Sequence, residues 1–161
     1  MCRPSRSLPR VNATLDTFLH RLPVMAGLDE AALQYLGALA AEEHSAAGDT
    51  ILREGDPGDR VFFICSGRVR IVKDHGAAEP VVLAEMGPGD YFGEMSLVES
   101  VARSASVVAV ESTCVFTLKS VNFYKLYRQH PDQYGIVVLN IARDLARRLR
   151  RLDEKFVAIS H

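Results

Sequence analysis

The sequence predicts an α+β fold in which some eight short strands, arranged as a jelly roll or barrel, are preceded by helices and followed by two more. Two observations carry this. Apolar residues recur at helical spacing near both ends of the chain, and between Glu42 and Lys119 the pattern changes to short stretches with glycine-rich corners. With 161 residues there is room for one domain that buries about two-thirds of its unfolded surface.

Residues 1–11 carry two prolines and three arginines without periodicity and are expected to form a flexible leader. Leu15, Phe18, Leu19 and Leu22 then share one helical face as far as Pro23. Asp29 is placed to cap a second helix that turns Ala32, Leu36, Leu39 and Ala40 inward. The β region follows. Gly48-Asp49 and Gly55-Asp56-Pro57-Gly58-Asp59 mark turns on either side of one short strand, and Gly48, Gly55, Gly58 and Gly67 read as turn residues only. Arg68 to Val72 and Val81 to Ala84 form a hairpin around Asp74-His75-Gly76, and Ser106–Val110 and Thr113–Leu118 supply two more strands. Ser120 is expected to cap a helix through Val121, Tyr124 and Leu126, and Pro131 to open the last one. On that helix Val138, Ala142, Leu145, Leu149, Leu152 and Phe156 are spaced 4, 3, 4, 3 and 4 apart. Such a seam either packs back on the strands or pairs with a second copy as a coiled coil.

Between the strands lies a stretch with its own chemistry, Tyr91-Phe-Gly-Glu-Met-Ser-Leu-Val-Glu-Ser-Val-Ala-Arg-Ser-Ala-Ser106. If residues 94–99 make a turn or two of helix, the amides of Glu94, Met95 and Ser96 are free to meet an anion. Arg103 can bring a planar guanidinium to the same anion. A carboxylate beside a phosphate is repelled, so Glu94 needs an uncharged donor such as a sugar hydroxyl. Phosphate and sugar together point to a nucleotide.

This stretch resembles the phosphate-binding cassette of cyclic nucleotide-binding domains, and Gly48–Asp59 followed by Val61–Ile71 is similar to the first half of the same family. The likeness covers roughly residues 14 to 157. It implies an eight-stranded antiparallel jelly-roll β-barrel with N-terminal helices and two C-terminal helices: helices and barrel over 12–119, cassette at 91–106, and a lid or dimerisation unit at 120–161. It also implies that Glu94 takes the ribose 2′-OH, that Arg103 takes the cyclic phosphate, and that Gly93, Met95, Ser96, Ser104 and Ala105 neighbour the ligand. By the same pattern Ile71 and Leu83 lie against the purine. A residue of the last helix often covers the base in this family. The expected ligand is cyclic AMP, with cyclic GMP as the alternative because a hydroxyl at Ser104 helps the guanine form in some relatives. The expected output is a movement of the C-terminal helix, and the expected partner a second copy joined through it.

Composition narrows the alternatives. Net charge is −1 and the charged fraction 24%, with no bias toward nucleic acid or an anionic membrane. Arg143, Arg147, Arg148, Arg150 and Arg151 alternate with Asp144, Asp153, Glu154 and Lys155 and read as a solvated helix face. No residues follow that helix for a helix-turn-helix, so direct binding of nucleic acid is not expected. Three cysteines without metal-type spacing read as reduced thiols, and no membrane span or signal peptide is evident, which suggests a cytoplasmic location. Jelly-roll enzymes need clustered histidines, whereas His20, His44, His75, His130 and His161 are scattered; neither catalysis nor a cofactor or metal is expected. Three cysteines are too few for an iron–sulfur cluster, and haem is left as a minor alternative ligand.

Overall fold

The structure, a computed structural model, describes residues 13–98 and 101–161. The expected leader at 1–11, and Glu99 and Ser100 of the cassette, lie outside the described residues. In chain order the elements are α1 (Ala13–Arg21), a 3₁₀ turn (Pro23–Met25), α2 (Glu30–Leu39), β1 (Ala41–Ser45), β2 (Thr50–Leu52), β3 (Arg60–Ser66), β4 (Val69–Lys73) and β5 (Val81–Met86). They continue with β6 (Tyr91–Phe92), α3 (Met95–Val98), β7 (Ser106–Ala109), β8 (Thr113–Lys119), α4 (Ser120–Gln129) and α5 (Pro131–Ile159).

Among the described residues, eight antiparallel strands form two sheets. The first runs β1-β8-β3-β6 and the second β2-β7-β4-β5. Backbone pairing stays within each sheet, so hydrogen bonds do not close the expected single barrel. Strands as short as β2 and β6 end before the chain can carry a ladder from one sheet into the other. The consecutive apolar residues Val61, Phe62, Phe63 and Ile64 of β3 follow from this layering, since both of its faces are covered. Phe62 and Ile64 pack between the sheets with Phe92, Val107 and Val115, while Val61 and Phe63 face the helices with Phe116 and Leu118.

The helices cover that outer face for identifiable reasons. Leu15 and Leu19 of α1 and the following Leu22 are buried, as their spacing requires. Asp29 Oδ1 accepts the Ala32 amide at 2.8 Å, which is the expected cap, and Leu33 and Leu36 turn inward. Helix α4 differs from expectation. Lys119 holds the cap position without a side-chain bond, and Ser120 is already helical and donates instead to the Ser96 carbonyl at 3.3 Å. Its buried face is Asn122, Phe123 and Leu126, whereas Val121 and Tyr124 are exposed.

Helix α5 buries only its first half in the core. Val137 and Ile141 are buried, Gln133 Oε1 accepts the Asp29 amide at 2.8 Å, and Asn140 Nδ2 donates to the carbonyls of Val24 and Ala26 at 3.0 and 2.8 Å. The heptad seam points elsewhere: Leu149 is 60% and Phe156 74% exposed. Packing of that seam back on the sheets is thereby excluded. Among the described residues no helix is long and apolar enough to cross a membrane.

Candidate functional site

Arg103 is held from every side by backbone. Its amide donates to the Asp56 carbonyl at 2.8 Å and its carbonyl accepts from the Gly55 amide at 2.8 Å, tying the segment to the 55–58 turn. Nη1 donates to the Gly93 carbonyl at 3.2 Å and Nη2 to the Arg60 carbonyl at 3.0 Å, so two neutral acceptors fix the plane of the fork. Nε is buried and without a hydrogen-bond partner among the described residues. Burial is the largest influence on this guanidinium and lowers its pKa, with Asp59 opposing. A cation partly stripped of water, with a donor to spare, is built to receive an anion.

Two glycines make room for it. Gly93 has φ +80, and a Cβ there would lie 2.9 Å from Arg103 Nη1 and 3.0 Å from the Arg60 carbonyl. At Gly58 the backbone is unstrained, yet a Cβ would lie 2.8 Å from Arg103 Cζ. Gly58, expected to serve only the turn, thus lets the turn close over the guanidinium. Its signal was absent from the sequence because the neighbour it accommodates lies 45 residues away.

The helix after Gly93 is the single turn α3. The Ser96 amide, expected to be free, bonds the Gly93 carbonyl at 3.3 Å, and the Ser96 hydroxyl bonds the same atom at 2.8 Å. The Glu94 and Met95 amides have no hydrogen-bond partner among the described residues, so two of the three expected donors remain available at the cavity these residues line.

Glu94 is 8% exposed, and its partner is a cation rather than an uncharged group. Arg148 of α5 donates from Nη1 to Glu94 Oε1 at 3.1 Å and meets Asp144 Oδ2 through Nη2 at 2.9 Å. Its Cζ lies 5.0 Å from the centroid of the Tyr91 ring, whose hydroxyl donates to Asp144 Oδ2 at 2.7 Å. Burial first, and then that bond, push the Tyr91 phenol well above its usual range. Arg148 and Asp144, both expected on a solvated face, are therefore the side chains by which the last helix reaches the cassette. The stripe Val137, Ile141, Asp144 and Arg148 repeats at 4, 3 and 4, one residue behind the exposed seam and about 100° around the helix from it. Hydrophobic period singles out the exposed seam and passes over this stripe, because Asp144 and Arg148 interrupt its apolar character.

Gly93, Glu94, Met95, Ser96, Arg103, Ser104, Ala105 and Ile71 all line one cavity of about 210 Å³. Leu83 does not. Ile71 pairs with Ala84 and Val72 with Val82, so Leu83 is the extra residue of a bulge, and Ala84 and Met86 take the inward positions. Leu83, 56% exposed, lines a larger cleft of about 700 Å³ between β5 and α5. That cleft holds no contact to Arg103, so the chemistry belongs to the smaller cavity. Arg148, Ala84 and Met86 border both.

The family model of the cyclic nucleotide-binding domain matches residues 42–130. The cyclic AMP receptor protein of Thermus thermophilus is 42% identical over 106 residues, which are 66% of this chain and 47% of that protein, so the chain spans about half of that relative. The crystal structure of Thermus thermophilus catabolite activator protein superposes with a TM-score of 0.71 at 35% identity, over 86% of this chain and 63% of the other. A cyclic nucleotide-binding domain from Methylobacillus flagellatus gives a TM-score of 0.77 at 25% identity, over 89% and 81%. With the paired sheets, the cassette and more than half of the chain in agreement, the protein belongs to the cyclic nucleotide-binding domain family.

Proposed function

We propose that this chain is a regulatory domain that binds cyclic AMP in the cassette cavity and relays occupancy through α5. The observation that carries the reading is the Arg148–Glu94 contact, because it joins the carboxylate assigned to the ribose directly to the last helix. In this reading the cyclic phosphate meets Arg103 and the amides of Glu94 and Met95. The ribose 2′-OH donates to the Glu94 carboxylate, whose four lone-pair positions can serve Arg148 and a hydroxyl together. The purine lies among Ile71, Ala84, Met86 and Val107, with Ser104 and Ala105 beside the phosphate. The Thermus relative, a cyclic AMP receptor by name, supports cyclic AMP over cyclic GMP.

A ligand shifts a helix only if it binds the two helix positions unequally. Arg148 supplies the inequality. A hydroxyl on Glu94 changes how strongly the carboxylate holds the guanidinium, and with it the position of the exposed half of α5. The seam on that half, apolar at heptad spacing, supports pairing with a second copy of this chain. We assign the domain no catalysis of its own and a cytoplasmic setting.

The test is calorimetric titration of cyclic AMP into wild type and Arg103→Ala, with hydrogen exchange along α5. Losing one partner of a desolvated charge pair costs about 2–5 kcal/mol, so affinity should fall about thirty- to several-thousand-fold with the fold retained. Unchanged affinity refutes the phosphate assignment. Ligand that binds without altering exchange anywhere between Ile141 and Phe156 refutes the relay.

A further inference from the structure

On the outer face of the first sheet, strand register gathers residues that lie far apart along the chain. Glu42 and His44 alternate on β1 and so share a face. Cys114 of β8 is the Cα partner of His44. On the other side of β8, strand β3 shifts register between Ile64 and Ser66, and the extra residue there is Cys65, which neighbours Cys114 across the two strands.

The donor atoms are close. Glu42 Oε1 is 2.7 Å from His44 Nε2, the Cys114 thiol donates to Glu42 Oε1 at 3.7 Å, and one ligating atom from each of the three lies within 4.8 Å of the others. Tetrahedral zinc with sulfur at about 2.3 Å and nitrogen at about 2.0 Å sets its ligands about 3.3–3.8 Å apart. Exposed side chains such as Glu42 and His44 reach that spacing by small rotations. Thiolate, imidazole and carboxylate together favour a borderline-soft divalent ion over magnesium or calcium.

We propose that Glu42, His44 and Cys114 bind a divalent cation of the zinc class, with the Cys65 thiol in the fourth position. The site is separate from the nucleotide cavity, none of whose lining it shares. β1 is an edge strand of its sheet, and an ion held this way clips it to β8 and β3, where pairing alone leaves one side open. Binding displaces the thiol proton of Cys114, which burial, and then Glu42 and Cys65, push up to about 11.

The experiment uses the full chain carrying Cys2→Ser, so that the third thiol is silent, reduced and stripped with chelator. Cobalt(II) is titrated in and followed by its sulfur-to-metal charge-transfer band and the visible bands of tetrahedral cobalt. Saturation at one equivalent, displacement by zinc and a higher melting temperature with zinc are expected. Cys114→Ser should abolish the charge-transfer band, and Cys65→Ser should weaken it. His44→Ala, at an exposed position that leaves the fold intact, should weaken binding at least about tenfold, since even outer-shell changes at metal sites cost that much. Cobalt that never saturates, a band that survives Cys114→Ser, or reduced protein with no band overturns the site. A band undiminished by Cys65→Ser overturns the fourth ligand.

Discussion

Gly58→Ala decides whether the 55–59 turn merely reverses the chain or shapes the anion site. A Cβ at Gly58 meets Arg103 Cζ at 2.8 Å, Nε at 2.9 Å and Nη1 at 3.0 Å, where ordinary contact begins near 3.4 Å. The guanidinium has to retreat by roughly 0.6 Å, because van der Waals repulsion at shorter range is steep. That movement stretches bonds already at 3.2 and 3.0 Å to the Gly93 and Arg60 carbonyls and swings the unpartnered Nε off its line. The cation remains, so the loss is part of the full pair: about 1.5–3 kcal/mol, or roughly ten- to more than a hundredfold in Kd. Backbone strain adds nothing, since Gly58 does not need a positive φ, and the melting temperature should fall by only a few degrees, equivalent to about 1 kcal/mol. Gly93→Ala is the contrast. Its φ of +80 costs about 1–2 kcal/mol for a residue with a side chain, and the Arg60 carbonyl 3.0 Å away is backbone that cannot step aside, so fold and affinity should both suffer. Calorimetric titration with cyclic AMP beside thermal melting reads both quantities. Gly58→Ala binding at wild-type strength would refute the claim that this turn positions Arg103.

Glu94→Gln keeps the shape of the side chain and removes the charge that both Arg148 and a ribose hydroxyl use; cyclic AMP should lose about ten- to a hundredfold in affinity and its 2′-deoxy analogue much less, with equal losses counting against the ribose role. Leu149→Glu with Leu152→Glu should convert a dimer to a folded monomer in sedimentation velocity, since both positions are more than half exposed in the single chain; a wild-type monomer at high concentration would remove the coiled-coil reading. His20 bonds the Asp16 carbonyl at 2.7 Å and Glu30 Oε2 at 2.8 Å, in that order of influence, and its pKa is raised above the ordinary value near 6.5. The clasp between α1 and α2 is thus fully present below about pH 6.5 and lost as pH rises through the raised value; urea melts should lose that pH dependence in His20→Gln, and an identical profile would dismiss it.

What the sequence made legible was local. Leu15, Leu19 and Leu22 declare α1 by period, Asp29 declares the start of α2 by its chemistry, and Glu94 and Arg103 declare themselves because ten residues carry both and the turn between. What it hid depends on register. The family resemblance places Leu83 against the purine, but the one-residue bulge at Leu83 turns it out of the cavity and brings Ala84 and Met86 in, a shift that no linear pattern announces. The same limit concealed Cys65, Cys114, His44 and Glu42, which have no metal spacing along the chain and acquire one only when β1, β8 and β3 lie side by side.

Helix α5 shows why rotation, like register, is a tertiary property. Its sequence offers one continuous apolar seam, and hydrophobic period alone turns that seam inward, because the stripe about 100° away from it is half charged, with Asp144 and Arg148 following Val137 and Ile141. The decision is made by two amides. Gln133 satisfies the amide of Asp29 and Asn140 satisfies the carbonyls of Val24 and Ala26, polar groups at the N-terminal end of the fold that would otherwise lack these partners. Once those bonds fix the first half of the helix, its rigidity carries the rotation to the second half. Arg148 then arrives at Glu94, and Leu149, a single residue further on, is left facing outward. The proposed ligand contact and the proposed pairing seam are therefore two sides of one rotation, set at a point on the helix that touches neither.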